Sequence, residues 1–288
     1  MIVFGFHLGD SPFSRKLLSA YIAHLHGNQE VERIILATDV IVQSKSSKLD
    51  LHSISIRDLP NINIYDDGVT NPEFEKVCFQ RFLVLKLIME KRGIEDALYV
   101  DTDLMYSYGA WDSYGLPNSP YVVAPHKGST FVSRWTLSAV TQFADNIDGY
   151  YNHCVASKPR RVCDMNYLEW LVGSFKIKHI PTWPDDGSLQ ILHFRKFLIM
   201  KLPPVISFVQ TDYERLSLDG GEELLSVADM GKYYPYDYLD HVFTYDRKVK
   251  GWFFHDPTTS KVIKIQFIHL QGAAKQYMLD FVVDRIGC

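Results

Sequence analysis

The chain has 288 residues, 47% hydrophobic and 14% aromatic, with a formal net charge of −4. This composition belongs to a globular chain long enough for a sizeable core, and it excludes a disordered protein and a broad nucleic-acid-binding surface. Cys78, Cys154, Cys163 and Cys288 form neither a CxxC pair nor a zinc spacing, which fits a reduced compartment better than a disulfide framework.

Ile2 to Phe6 is a compact apolar strand at the very start. It is closed by His7 and Asp10 and has no basic segment before it, so no secretory leader is expected. Ser11 is a plausible N-cap and Pro12 suits the first helical position. Phe13, Leu17, Leu18, Ile22 and Leu25 then recur at helical spacing, and Gly27 is a natural stop. Val31 to Ala37 reads as the next buried strand, ending at Thr38-Asp39. Strand, helix and strand in this order predict a βαβ opening and a parallel sheet.

His52 to Ile56 and Ile62 to Tyr65 read as short strands, and Asp66-Asp67-Gly68 as a turn. Asn71-Pro72-Glu73 opens a second helix, with Phe74, Val77, Cys78, Arg81, Phe82, Leu85 and Ile88 as its inner stripe and Gly93 as its end. The strand at Ala97 follows. Tyr106 to Pro120 has loop composition. Tyr121-Val-Val-Ala and Thr130-Phe-Val suggest short strands, Leu137 to Tyr151 a helix, and Asp164 a cap for a helix through Leu171. Ile177 to Ile180 is a strand. Pro203-Pro204 interrupts the ambiguous stretch from Leu189 to Gln210. Gly251-Trp-Phe-Phe and Val262 to Ile268 read as an antiparallel hairpin, and a last helix is expected from Ala273 to Ile286. No repeat or linker divides the chain. No apolar stretch approaches the roughly 18 residues of a membrane span. A cytoplasmic chain lacking its own membrane anchor is the expectation.

Two stretches carry chemistry. The first is Tyr99-Val100-Asp101-Thr102-Asp103. Residues two apart on a strand point the same way, so the two carboxylates are expected to converge where the strand leaves the sheet. A hard divalent cation with phosphate ligands wants such a site; a solvated acidic turn is the alternative reading. The second is Phe267-Ile268-His269-Leu270-Gln271-Gly272-Ala273-Ala274-Lys275. An imidazole suits manganese among other metals. A glycine at a helix start lets backbone N–H groups approach a phosphate, and a lysine one turn on can reach it too. The same residues also describe an ordinary strand-to-helix turn.

Together, Arg81-Phe82 on a helix, Asp101-Thr-Asp103 after a strand, and His269-Leu-Gln-Gly272-Ala-Ala-Lys275 resemble the ordered motifs of GT-A-fold, nucleotide-sugar-dependent glycosyltransferases. The nearest pattern is the glycogenin-like (family 8) group, to which the similarity is partial. The ordered motifs span residues 81 to 275; Phe6-His7-Leu8-Gly9-Asp10 departs from the longer polar motif of that group.

The resemblance implies an α/β fold: a mostly parallel, twisted, Rossmann-like sheet flanked by helices, with a mixed acceptor-binding part. It implies one domain over residues 1–288, with a nucleotide-binding half (1–104) and an acceptor-binding half (105–288). The implied reaction moves a sugar from a nucleotide sugar, probably UDP-linked, to a saccharide or glycan acceptor with Mn²⁺ or Mg²⁺. Asp103 and His269 would ligate the metal. Asp101 would hold the ribose or reach the metal through water, with Thr102 beside it on the nucleotide. Gly272 and Lys275 would contact the diphosphate. Arg81 would pair with Asp101, Asp103 or phosphate, and Asp39 would accept from the uracil N3–H.

Asp164, in Asp164-Met-Asn-Tyr-Leu168, resembles a family segment facing the sugar. It would bind sugar hydroxyls, act as a base, or simply cap its helix. Asp185 and Asp186 are rival bases. Trp111, Tyr114, Trp183 and Trp252 are candidate sugar-stacking or packing aromatics. A haloacid-dehalogenase-type phosphatase and a non-catalytic carbohydrate-binding protein are the competing readings of the acid pair.

Overall fold

The computed structural model describes residues 1–42, 44–68, 71–106, 121–122, 132–159, 162–174, 178–179, 191–194, 199–202, 205–208, 213–215, 243–246, 251–255, 262–265 and 267–270. The strands are β1 (Ile2–His7), β2 (Arg33–Thr38), β3 (Leu49–Ser53), β4 (Asp96–Val100), β5 (Leu104–Tyr106), β6 (Tyr121–Val122), β7 (Val132–Thr136), β8 (Lys178–His179), β9 (Ile191–Phe194), β10 (Ile199–Leu202), β11 (Val205–Phe208), β12 (Tyr213–Arg215), β13 (Phe243–Asp246), β14 (Gly251–His255), β15 (Val262–Ile265) and β16 (Phe267–Leu270). The helices are α1 (Pro12–His26), α2 (Pro72–Arg92), α3 (Leu137–Asp145), α4 (Ile147–Ser157) and α5 (Asp164–Gly173).

Among these residues the main sheet has five strands in the order β3-β2-β1-β4-β7. The first four run parallel and β7 runs antiparallel to β4. The chain starts in the middle, builds outward through β2 to β3, then returns to lay β4 on the other side of β1. The order therefore reverses between β1 and β4, and in open α/β sheets such a switch point opens a crevice at the carboxyl ends of the strands.

Side-chain alternation explains why β1, β2 and β4 are nearly continuous apolar runs. Val3, Ile34, Leu36, Leu98 and Val100 face α1 and pack on Leu18, Tyr21, Ile22 and Leu25. Phe4, Ile35, Ala37, Ala97 and Tyr99 face the other way, onto a layer from α2, α3, α4 and α5. Gly5 leaves room for a crossing contact. A Cβ there would stand 2.7 Å from the Tyr21 hydroxyl, which donates to the Val100 carbonyl at 3.2 Å.

The helix ends follow their sequence signals. Ser11 Oγ accepts from the Ser14 amide at 3.0 Å, and Asn71 Oδ1 accepts from the Glu73 and Phe74 amides at 3.1 and 3.3 Å. Gly93 closes α2 at φ 64°, a left-handed conformation that favours glycine.

Several expectations are corrected. The third strand ends at Ser53, and Ile56–Asp58 is a single 3₁₀ turn. Ile62, Ile64 and Tyr65 form no strand; they pack partly buried against the helical layer, which satisfies their apolar pattern without sheet pairing. The helix predicted over Leu137 to Tyr151 breaks at Asn146 into α3 and α4. The strand predicted at Thr130 starts at Val132. Phe74 is exposed at the start of α2, although Glu75 beside it in the same turn is buried. Val262 to Ile268 is two strands: β15 completes the hairpin with β14, while β16 joins the sheet β12-β9-β16-β5. The expected terminal helix from Ala273 lies outside the described residues. No described helix is long and apolar enough to cross a membrane.

Candidate active site

The acid pair sits at the switch point. β4 ends at Val100, and the Leu104 amide donates to the Asp101 carbonyl at 3.1 Å. Asp101-Thr102-Asp103-Leu104 is therefore a tight turn, with Thr102 and Asp103 at its centre. This corrects the expectation that strand alternation aims the two carboxylates: the turn sets them. Leu104 then starts β5, so the acidic turn joins the main sheet to the second one.

Asp101 is held by two donors of its own layer. Arg81 Nη1 donates to its Oδ1 at 3.0 Å, and the Tyr99 hydroxyl donates to the same oxygen at 2.5 Å. Arg81 Nη1 also reaches the Tyr99 oxygen at 3.0 Å. Its other arm, Nη2, donates to Asp164 Oδ2 at 2.5 Å. A planar guanidinium with a fixed fork of donors is suited to bridging two carboxylates in this way.

All three charged groups are largely buried, with side-chain exposures of 13% for Arg81, 18% for Asp101 and 6% for Asp164. Burial opposes the Arg81 charge, but Tyr99, Asp101 and Asp164 outweigh it and raise its pKa well above the ordinary arginine value. Burial, helped by Asp101, pushes the Tyr99 hydroxyl well up despite the opposing pull of Arg81. Burial and the nearby Asp164 likewise raise the Cys78 thiol. The guanidinium carbon also lies 4.9 Å from the Phe82 ring centre and 5.0 Å from that of Tyr99.

The sequence expectation that Arg81 pairs with Asp101 holds. Asp164 is the first residue of α5, and its carboxylate takes Arg81. Beside it, Glu75, Cys163 and Asp164 are buried and present ligand atoms within 4.8 Å of one another. Cys163 Sγ contacts Asn166 Oδ1 at 2.9 Å.

Thr102 and Asp103 are buried. Thr102 Oγ1 shares a hydrogen bond with His7 Nδ1 at 3.0 Å, across the gap between the ends of β1 and β4. Asp39 stands on the same edge, after β2. Its Oδ1 accepts from the Gly9 amide at 2.8 Å, which ties the loop after β2 to the loop after β1. Gly9 has φ 101°, a region that favours glycine.

His269 arrives through the second sheet. β16 pairs antiparallel with β5, and the register sets His269 opposite Leu104, one residue past Asp103. On its other side β16 runs parallel to β9, with His269 opposite His193. Asp185, Asp186, Gly272 and Lys275 lie outside the described residues, as do Trp111, Tyr114 and Trp183. Trp252 is on β14, in the separate sheet β13-β14-β15.

Sequence reasoning missed Tyr99, Glu75, Cys163 and the bonding role of His7. Tyr99 had a signal, since it lies two residues before Asp101 at the end of the same strand. Glu75 and Cys163 had none, because only the packing of α2 on α5 joins them.

No family model and no curated protein matches the chain. Solved structures similar to it include mouse xyloside xylosyltransferase 1 in its apo form, with TM-score 0.41 and 10% identity, covering 67% of this chain and 88% of that one. The galactosyltransferase LgtC, in complex with donor and acceptor sugar analogues, is similar at TM-score 0.39 and 10% identity, covering 66% and 76%. The glycosyltransferase GlyE of Streptococcus pneumoniae TIGR4 is similar at TM-score 0.40 and 14% identity, covering 65% of this chain and 46% of that one.

Proposed function

We propose that this chain is a divalent-cation-dependent glycosyltransferase that moves a sugar from a nucleotide sugar, first of all a UDP-sugar, to a saccharide or glycan acceptor. The observation that carries the reading is the junction at Asp101–Asp103. An acidic turn lies at the switch point of a parallel sheet, and the next strand pairs with the strand that bears His269.

Two carboxylates and an imidazole form a donor set that fits Mn²⁺, and Mg²⁺ through the carboxylates. In this proposal Asp103 and His269 are the direct ligands, with Asp101 behind them on the nucleotide side. When bound, the cation supplies charge neutralisation to the departing nucleoside diphosphate.

The chain's own residues bind and orient. Arg81 holds Asp101 and Asp164 in fixed positions before substrate arrives, so little reorganisation is left for the reaction itself. His7 orients the Thr102 hydroxyl. Thr102 and Asp39 face the nucleotide, and Gly272 and Lys275 meet the diphosphate. Asp164 accepts hydrogen bonds from donor-sugar hydroxyls, and Asp185 and Asp186 compete for the role of base toward the acceptor hydroxyl. Residues 1–104 form the nucleotide half and 105–288 the acceptor half, and the protein works in the cytoplasm. The ties of Asp101 to Arg81 and Tyr99 argue against its use as a phosphatase nucleophile.

The test is nucleoside diphosphate release from a panel of UDP- and GDP-sugars, with Mn²⁺ and with EDTA. Asp103→Ala and His269→Ala are each expected to lower turnover about 10²–10³-fold while the protein stays folded. Turnover that survives both EDTA and Asp103→Ala would sink the reading.

A further inference from the structure

We propose that Phe74 is a stacking platform for a neutral saccharide at the outer rim of the candidate active site. The assignment of that saccharide to the acceptor side rests on the glycosyltransferase reading; the position of the platform rests on geometry.

Helix α2 leads into β4 through Gly93, Ile94 and Glu95, so it runs antiparallel to that strand. Its first turn therefore stands at the sheet edge where β4 ends in the acidic turn. Arg81, in the middle of α2, already reaches Asp101 just past the end of β4. The turns before Arg81 consequently rise past the sheet edge.

Phe74, Cys78 and Arg81 are spaced i, i+4 and i+7, which puts them on one face of the helix. The rise from Phe74 to Arg81 is about 10 Å. Exposure falls along this stripe, from 62% at Phe74, through half-buried Cys78, to the 13% exposed Arg81 side chain. The stripe runs from solvent into the Arg81–Asp101–Asp164 network.

A single exposed apolar residue is ordinary. What marks Phe74 is the combination of an aromatic ring, its exposure and its place on the same stripe as Arg81. Among the described residues the other large exposed apolar side chains, Ile41, Leu51, Ile56, Leu87 and Val155, are aliphatic and lie elsewhere. An isolated ring is too small an apolar surface for a protein partner. It does match the C–H face of a pyranose, whose slightly positive hydrogens suit the negative face of a phenyl ring. Exposed Glu73 beside it accepts hydrogen bonds from hydroxyls and disfavours an anionic ligand. The distance from Arg81 places Phe74 under a ring beyond the reacting one, so it selects acceptors longer than a single sugar.

The test is saturation-transfer NMR of maltose, cellobiose, lactose and diacetylchitobiose with the wild-type chain, Phe74→Ala and Phe74→Tyr. At least one disaccharide is expected to receive saturation on the C–H protons of one ring. Phe74→Ala should weaken its binding about fivefold and Phe74→Tyr should retain it. Wild-type protein that contacts none of the four, binding that persists in Phe74→Ala, or loss in Phe74→Tyr would each overturn the platform.

Donor turnover separates the two proposals. A chain that releases nucleotide but shows no contact through Phe74 keeps the transferase reading and loses the platform. A chain that binds a disaccharide through Phe74 but turns over no nucleotide sugar keeps the platform and loses the transferase reading.

Discussion

The two faces of the main sheet use different chemistry. The α1 face is aliphatic, built from Val3, Leu18, Ile22, Leu25, Ile34, Leu36 and Leu98, with the Tyr21 hydroxyl reaching through it to the Val100 carbonyl. The opposite face is aromatic and charged. Phe82 lies 4.8 Å from Trp135, 4.9 Å from Phe143 and 5.1 Å from Tyr99 between ring centres, and Arg81 stands beside this cluster between two carboxylates. The α1 face is closed by a helix directly connected to the strands it covers. The other is assembled from α2, α3, α4 and α5, whose contacts cross long stretches of chain, such as the 83 positions that separate Asp164 from Arg81. Local βαβ packing gives the sheet a dry support, and the long-range layer brings together the groups that carry charge.

The sharpest way to break this contrast is Arg81→Ala. It leaves two buried carboxylates without their shared cation and should cost about 3–5 kcal/mol, read as a lower denaturation midpoint. Arg81→Lys should recover only part of that, because a single ammonium does not bridge both partners as a fork does. A loss below about 1 kcal/mol for Arg81→Ala would show that the network is a surface-like feature.

A smaller effect is expected on the aliphatic face. Gly5→Ala pushes a methyl against Tyr21 and should destabilise by about 1–3 kcal/mol through overpacking. The same experiment reads out whether the Tyr21 link to Val100 supports the acidic turn, since the nucleotide binding proposed above should then weaken along with stability.

The smallest expected effect is a pH dependence that belongs to the charged face. Burial raises the thiol of Cys78 and the hydroxyls of Tyr99, Tyr150 and Tyr167 above their ordinary values, 9.0 for the thiol and 10.0 for the phenols. The folded state then keeps protons that the unfolded chain has released. Stability is complete below those ordinary values and falls as pH rises beyond them. Melting temperature measured between pH 7 and 11 should stay level to about pH 9 and then decline. Tyr150→Phe, which removes one of these phenols, should flatten the decline.

Much of this architecture is legible in the residues. Ser11-Pro12, Asn71-Pro72 and Gly93 mark helix ends because their local bonding works before any tertiary contact forms. The parallel sheet is legible because strands covered on both faces must be apolar throughout. Ile62 to Tyr65 misled because an apolar pattern reports burial and does not say whether a sheet or a helix does the burying. Phe74 misled for the complementary reason: its spacing matches the inner stripe, but it sits in the first turn of α2, where its ring is exposed. Asp101 is a candidate site residue on the sequence alone, yet the turn that aims it depends on the chain leaving one sheet for another at Leu104.

What the sequence by itself determined was the inventory: an acidic pair after a buried strand, an arginine on the helix before it, and a histidine on a late strand. Each of these signals is local, set by residue type and spacing. Only the tertiary structure decided the assembly. The strand order reverses between β1 and β4, α5 carries Asp164 to Arg81, and the β5–β16 register brings His269 opposite the residue that follows Asp103. Those pairings join residues separated by tens to more than a hundred positions, and nothing short of packing selects such partners.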